Sequence, residues 1–345
     1  MKKDSEKVDL RTLAKQLNLS VSTVSRALND SYEVSPVTKE RVCELARKLN
    51  YQPNPYAKML KEKSTKTIAV VIPEIENSFF AASIDGIHSV ANQYGYHVLI
   101  YITQDSHDRE TAIIKLLSGG RVDGVLISLS LDAKELDHLS CLTSDIPFVL
   151  FNRVGVDGPS SFSRVTADDF DAGFKAGQHL LEQGFKNILY LGISPNTSTD
   201  TARRQGLLHA LVRNNDVNYE MMYCNQQTRE ENLQEIKKKL HSAQFDSVFV
   251  SVENLVLPCY EACAELGLKI PQDLGILAFS NSPATAVFNP ALTTVVLPAR
   301  EIAVLATQNL IFLLKGKPDN VKQNERLPSK LIVRASTIKK HSTKK

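Results

Sequence analysis

Apolar positions recur at two different periods along this chain, and the change falls near residue 67. In the first fifty residues they come three and four apart: Leu10, Leu13, Ala14 and Leu17, then Val21 or Val24 with Leu28, then Val42, Leu45, Ala46 and Leu49. That spacing predicts three short amphipathic helices. Asp9, Ser20 and Ser35-Pro36 stand at their starts as capping residues. Asn18 tolerates a left-handed backbone and fills the short connection between the first two helices. Two helices joined so tightly make a helix-turn-helix pair.

From Thr67 onward, short apolar runs alternate with amphipathic stretches. The runs 68–72, 98–102, 124–127 and 148–151 predict one series of strands, and 188–191, 247–250 and 275–279 predict a second. Helices are predicted between them, at 80–94, 168–183 and 204–212 among others. Alternation of this kind implies parallel sheets wound on both faces, and two series imply two lobes.

Composition adds bounds. The 345 residues are 43% apolar and 23% charged, ordinary globular values that argue against long disorder or a disulfide scaffold. At about 150 residues per domain the length suits two domains. Charge separates them: residues 1–66 carry 14 Lys/Arg against 8 Asp/Glu, whereas residues 67–345 carry 27 against 30. A basic head on a mildly acidic body implies an anionic partner for the head alone.

The five Cys, at 43, 141, 224, 259 and 263, form no Cys-x-x-Cys pair. Cys259 and Cys263 lie one helical turn apart, but no His or third Cys completes a zinc spacing, so they read as small apolar residues. The eight His are scattered, and none sits at ligand spacing with another. No metal and no cofactor are therefore expected. This cysteine usage suits a reducing compartment. The first residues lack the apolar stretch of a signal peptide, and no run is long enough to span a bilayer. A soluble, cytoplasmic protein with no membrane partner is expected.

The exposed positions of the second helix, Ser22, Thr23, Ser25 and Arg26, carry short hydroxyls near its start and one Arg further along. Such side chains approach base edges and phosphates closely in a major groove. The whole segment resembles the head of the Lac repressor family of bacterial transcription regulators. The signature falls on Ala14, Asn18, Leu19, Ser20, Thr23, Val24, Ser25, Arg26, Leu28 and Asn29, with Asn18 where the family usually has Gly. The resemblance implies that Val21, Ser22 and Arg26 read the DNA, with Ser20, Thr23, Ser25 and Asn29 beside them.

Residues 54–60 have a cap in Asn54, a first-turn Pro and helix formers, but allow barely two turns, too short a helix to be stable alone. In the resembling family this is a hinge helix that pairs over the operator centre. The resemblance adds Asn54, Tyr56, Ala57 and Leu60 to the DNA-binding set. Leu60 would be the apolar wedge in the minor groove, and Ala57 the small residue between the paired helices.

The resemblance continues through IAVVIPEIENSFFAASIDGI, RVDGVLIS, IPFVLFNR, TARRQGLLHAL and IPQDLGILAFSN. It implies an all-α helix-turn-helix head (1–52), a hinge and linker (53–66) and an α/β, two-lobed, periplasmic-binding-protein-like body (67–345) for effector binding and dimerisation. Lobe 1 would span about 67–166 plus 295–325, and lobe 2 about 167–292 plus 326–340.

Ligands in such sheets sit beyond the carboxyl ends of strands. Phe79 and Phe80 follow the first strand there, Ser128 and Asn152 end later ones, and Arg203 matches the family's effector-contacting Arg. Thr199, Glu253, Ser280 and Asn281 complete the expected effector set. Two departures bear on it. Val252-Glu253 stands where relatives carry Asn-Asp, and Phe279-Ser280-Asn281 where many carry Phe-Asp-Asp. Without that second acid, Arg203 is expected to accept an acidic ligand such as a uronate or sugar phosphate.

No phosphate-cradling, zinc-protease or nucleophile-elbow motif occurs, so an enzyme is not expected. The resemblance implies a regulator, expected to be a repressor, that binds a palindromic double-stranded DNA operator as a homodimer under the control of a sugar-like effector. A small-molecule binding protein with an inert head is the alternative. The basic tail KKHSTKK shows no heptad of a tetramerising helix.

Overall fold

The computed structural model describes residues 8–51, 64–131, 136–142, 146–155, 162–212, 214, 216–224 and 228–339. The hinge positions Asn54, Tyr56, Ala57 and Leu60 lie outside them. Two compact units divide near residue 65.

In the first unit, α1 (Leu10–Leu17), α2 (Val21–Leu28) and α3 (Pro36–Lys48) form at the expected places. Asp9 Oδ1 accepts from Thr12 N–H at 2.8 Å, Ser20 Oγ from Thr23 N–H at 3.0 Å and Ser35 Oγ from Thr38 N–H at 3.3 Å. Each caps an otherwise orphaned donor. Asn18 adopts φ 51°, the left-handed turn the family usually gives to Gly. Leu13, Val24 and Val42 are fully buried at the centre of this small core. Val24, not Val21, faces inward: Val21 is 43% exposed.

The second unit runs β1 (Thr67–Ile72), α4 (Ser78–Gln93), β2 (His97–Ile102), α5 (His107–Leu117), β3 (Gly124–Ile127), β4 (Phe148–Phe151), β5 (Arg164–Ala167), α6 (Asp169–Glu182), β6 (Asn187–Gly192), α7 (Ser198–Leu211), β7 (Asn218–Tyr223), α8 (Arg229–Ser242), β8 (Ser247–Val250), α9 (Val256–Leu266), β9 (Gly275–Phe279), β10 (Thr293–Val296), α10 (Ala299–Leu314), β11 (Asn324–Leu327) and β12 (Lys330–Ile332). A 3-10 turn, Asp137–Cys141, stands between β3 and β4.

Two six-stranded sheets result, ordered β11-β5-β4-β3-β1-β2 and β12-β10-β9-β8-β6-β7. Pairing is parallel except between β10 and β12. The inner strands β1, β3, β4, β8 and β9 are buried along their whole length, which is why they read as unbroken apolar runs. The chain crosses between sheets three times, after Ala167, Val296 and Leu327. The second crossing comes later than the expected 295, because Thr293–Val295 still pair with Leu277–Phe279. The third comes later than 325, because β11 pairs with β5 through Leu327.

Helix α7 begins at Ser198, six residues before the expected start, with Thr197 as its cap. It packs closely against α6. A Cβ on Gly206 would lie 2.1 Å from the Phe170 carbonyl oxygen, and one on Gly173 2.2 Å from that of Arg203. Only glycine allows that approach, and the approach sets α6 and α7 side by side at the mouth of the sheets. Among the described residues, no helix is long and apolar enough to cross a membrane.

Candidate functional site

On the head, α2 offers Val21, Ser22, Arg26 and Asn29 to solvent, with Thr23 and Ser25 half-buried. These residues do different work. The Ser20 hydroxyl is engaged at the helix start, within 2.7 Å of Ser22 Oγ and 2.8 Å of Thr23 Oγ1. Asn29 closes the other end, its Nδ2 donating to Ser25 O at 2.8 Å. Arg26 Nε lies 3.0 Å from Glu33 Oε2, an exposed ion pair. The surface therefore presents an apolar contact, a hydroxyl and a tethered guanidinium along one helix, a set that fits a major groove.

In the body, a cleft opens where the carboxyl ends of both sheets meet. Eight of the nine expected effector residues line it: Phe79, Phe80, Asn152, Thr199, Arg203, Glu253, Ser280 and Asn281. Ser128 does not; it is fully buried under its sheet. Asn77, Arg153, Val252, Phe279 and Leu297 line the cleft as well and were not anticipated. Arg153 was within reach of the strand-end rule, since it directly follows Asn152 after β4.

Asn77 caps α4, its Oδ1 accepting from Phe79 N–H at 3.0 Å, which fixes where the two phenyl rings start. The rings meet edge to face with centroids 5.4 Å apart, and both are buried. Asn152 ends β4 at φ 60°, turning its backbone at the rim.

Arg203 stands in the second turn of α7, buried. Its Nε donates to Asp169 Oδ1 at 2.7 Å and its Nη1 to Ser251 O at 2.5 Å, and its guanidinium carbon lies 4.3 Å from the Phe279 ring centroid. Burial pushes the Asp169 carboxyl up from its ordinary value, and the Arg203 charge opposes that push. Asp200, three residues before Arg203, accepts from Tyr190 OH at 2.7 Å and Ser251 Oγ at 2.5 Å. Burial raises its pKa too, against those hydrogen bonds.

Arg203 is therefore already paired, although the acid that the resemblance implies at 280–281 is absent. Asp169, from the start of α6, already meets its charge. The acid absent from positions 280–281 is also replaced. Glu253 Oε2 accepts from Ser280 Oγ–H at 2.7 Å, Asn281 N–H at 2.8 Å and Ser282 N–H at 3.1 Å. Its Oε1 accepts from Ser78 N–H, across the cleft, at 3.0 Å. The Asn281 amide is taken up as well: Nδ2 donates to Leu297 O at 2.7 Å and Oδ1 accepts from Leu297 N–H at 3.1 Å, clamping the segment after β10.

A second cluster lies outside this cleft. The histidines that look scattered in sequence include one pair the fold brings together, His107 and His138, with ring centroids 4.8 Å apart.

Residues 9–54 match the bacterial regulatory proteins of the lacI family, and residues 178–337 match a periplasmic binding protein-like domain. The chain is 30% identical over 333 residues to the ribose operon repressor of Halalkalibacterium halodurans, covering 95% of this chain and 96% of that one. The chain belongs to the lacI family of bacterial regulatory proteins. Like other lacI-family members it is a DNA-binding regulator of transcription. Its fold is that of the lac repressor dimer bound to operator and the anti-inducer ONPF, at a TM-score of 0.83 and 22% identity over 97% of this chain and all of that one. A periplasmic binding protein/LacI transcriptional regulator from Alkaliphilus metalliredigens, complexed with D-xylulofuranose, is 25% identical with a TM-score of 0.69, covering 79% of this chain and all of that one.

Proposed function

We propose that this lacI-family chain is a repressor that binds a pseudo-palindromic operator as a homodimer and that its cleft takes a sugar or an acidic sugar derivative. Residues 1–52 form the DNA-binding head, 53–66 the hinge and linker, and 67–345 the body that binds effector and dimerises. Working on DNA, the protein acts in the cytoplasm.

The observation that carries the effector reading is the Glu253 carboxylate held in the cleft near Arg203 and Asn152. A ligand rich in hydroxyls finds the remaining lone pair of Glu253 Oε1, the Asn152 amide and a guanidinium to pair with, and phenyl rings beside them. An acidic derivative would act differently, displacing Glu253 and inheriting its four donors. The names of two relatives, a ribose operon repressor and a regulator complexed with D-xylulofuranose, point to the same ligand class.

Dimerisation is supported by the edge strand β2. Leu99, Ile100 and Ile102 are 43%, 43% and 40% exposed, an apolar edge that a monomer would leave open to pairing. Covering it with a second copy puts two heads on one duplex, as a palindrome requires. Effector binding then shifts the lobes, and the shift is read at the operator.

The test is a thermal-shift panel of sugars, uronates, sugar phosphates and nucleosides, followed by fluorescence anisotropy on the DNA upstream of the chain's own gene. A binder raises the melting temperature by mass action and changes operator affinity. A protein with no preference for that fragment over random duplex, with every compound tried, would refute the reading.

A further inference from the structure

We propose that His107, Glu110 and His138 form a binding site for a divalent transition-metal ion of the zinc type, distinct from the effector cleft. His107 and Glu110 occupy the first turn of α5, three residues apart and so on one face. His138 approaches from the 3-10 turn Asp137–Cys141. One ligand atom from each lies within 4.8 Å of the others. A tetrahedral zinc ion sits about 2.0–2.2 Å from imidazole nitrogen and carboxylate oxygen, so atoms this near one another are within reach of one shared ion once the side chains close on it. Two imidazoles and one carboxylate are a borderline-soft donor set that suits zinc or cobalt better than calcium or magnesium.

Three further observations separate this cluster from a plain hydrogen-bonded tie. The Glu110 side chain is fully buried and that of His138 is 5% exposed, so neither is a solvated surface group. Glu110 Oε1 lies 2.7 Å from His138 Nε2 while its Oε2 accepts from Ser130 N–H at 2.7 Å, which holds the carboxylate as an outer partner holds a metal ligand. Nδ1 of His107 is buried without a hydrogen-bond partner among the described residues. A buried imidazole nitrogen left unmatched calls for an explanation, and a cation supplies one. The ion would replace the Glu110–His138 hydrogen bond and join α5, the strand-end loop after β3 and the 3-10 turn.

The site also touches the cleft at one remove. Next to Ser130, Leu131 N–H donates to Asp105 Oδ1 at 3.2 Å, and the same oxygen accepts from Arg153 Nη1 at 2.5 Å. Arg153 lines the effector cleft.

The full chain, stripped with a chelator, is titrated with Zn²⁺ by calorimetry and with Co²⁺ by absorption. One equivalent per chain is expected, with a cobalt spectrum of nitrogen and oxygen ligation and no thiolate charge-transfer band. Binding is lost in His107→Gln and His138→Gln and kept in the Cys259→Ser/Cys263→Ser double variant, which removes the competing thiol pair. Absence of stoichiometric binding by the unaltered chain would overturn the site. So would a thiolate band that the Cys double variant abolishes, or histidine variants that bind as tightly as the parent. The cobalt spectrum of the unaltered chain decides the ligand type even where a variant fails to fold.

Discussion

Glu253 and Ser78 lie 175 positions apart in sequence, yet the carboxylate of one accepts the backbone N–H of the other at 3.0 Å across the effector cleft. Ser78 opens α4 in the first lobe, while Ser280, Asn281 and Ser282 bind the same carboxylate from the second. One side chain therefore latches both lobes. Glu253→Gln keeps the size but turns an N–H₂ toward backbone donors. The change is expected to cost about 1–3 kcal/mol of stability, as for other hydrogen bonds to a charged group. It should also release the Ser78 amide, which hydrogen exchange reads directly. Equal Ser78 protection in variant and parent would remove the latch.

The Arg203–Asp169 pair makes a different prediction. Removing one member of a buried ion pair strands the other, typically at about 3–5 kcal/mol. Arg203→Ala is thus expected to destabilise the body whether or not a ligand touches Arg203, leaving buried Asp169 unpaired. Asp169→Asn should cost less, since the amide oxygen still accepts from Nε. Denaturant unfolding of the two variants gives the order, and Asp169→Asn being the worse of the two would contradict it.

Much of this was legible in the sequence, and the failures have physical causes. The inner strands β1, β3, β4, β8 and β9 announced themselves because both their faces are buried, whereas buried β10, half threonine, did not. The strands β5, β7 and β11 did not: Arg164–Ala167 and Asn324–Leu327 alternate with polar residues, and Asn218–Tyr223 is an exposed edge. The first six residues of α7 were missed because the buried ones among them are Thr199, Asp200 and Arg203. An interior made of polar groups shows no apolar period, and two of these three, Thr199 and Arg203, line the cleft. The two departures at 252–253 and 280–281 were visible one by one. Only the fold shows that the longer Glu253 side chain replaces the acid lost at the second.

On the head, the guanidinium of Arg26, proposed to contact DNA, is paired with Glu33. Glu33→Gln frees the guanidinium and removes one negative charge from the basic head. Exposed pairs contribute about 0.2–1 kcal/mol, so operator affinity should rise by up to about fivefold at low salt. The gain should fade as salt screens the charges. Arg26→Ala should lose about 1–3 kcal/mol of discrimination if its contact is to a base edge. Anisotropy titrations on operator and random duplex at two salt concentrations measure both, and a Glu33→Gln variant that binds more weakly than the parent would refute the expected gain.

His179 is expected to contribute to the pH dependence of the body's stability. It is buried on α6, and its Nε2 lies 2.8 Å from Thr337 Oγ1, which in turn meets Thr293 Oγ1 at 2.7 Å. Burial lowers its pKa from the ordinary value of 6.5, with Glu182 pulling weakly the other way. The unfolded chain therefore binds a proton that the folded chain refuses. Stability should rise with pH where the unfolded state holds more protons, so this contribution is present above about 6.5 and is lost as pH falls toward the depressed folded value. Asp169 and Asp200, whose pKa values are raised, act with the opposite sign nearer the ordinary carboxylate range. Between pH 7 and the carboxylate range, the parent should lose melting temperature as pH falls, and His179→Gln should lose less. Parallel profiles for the two proteins would show that His179 takes up its proton as readily folded as unfolded.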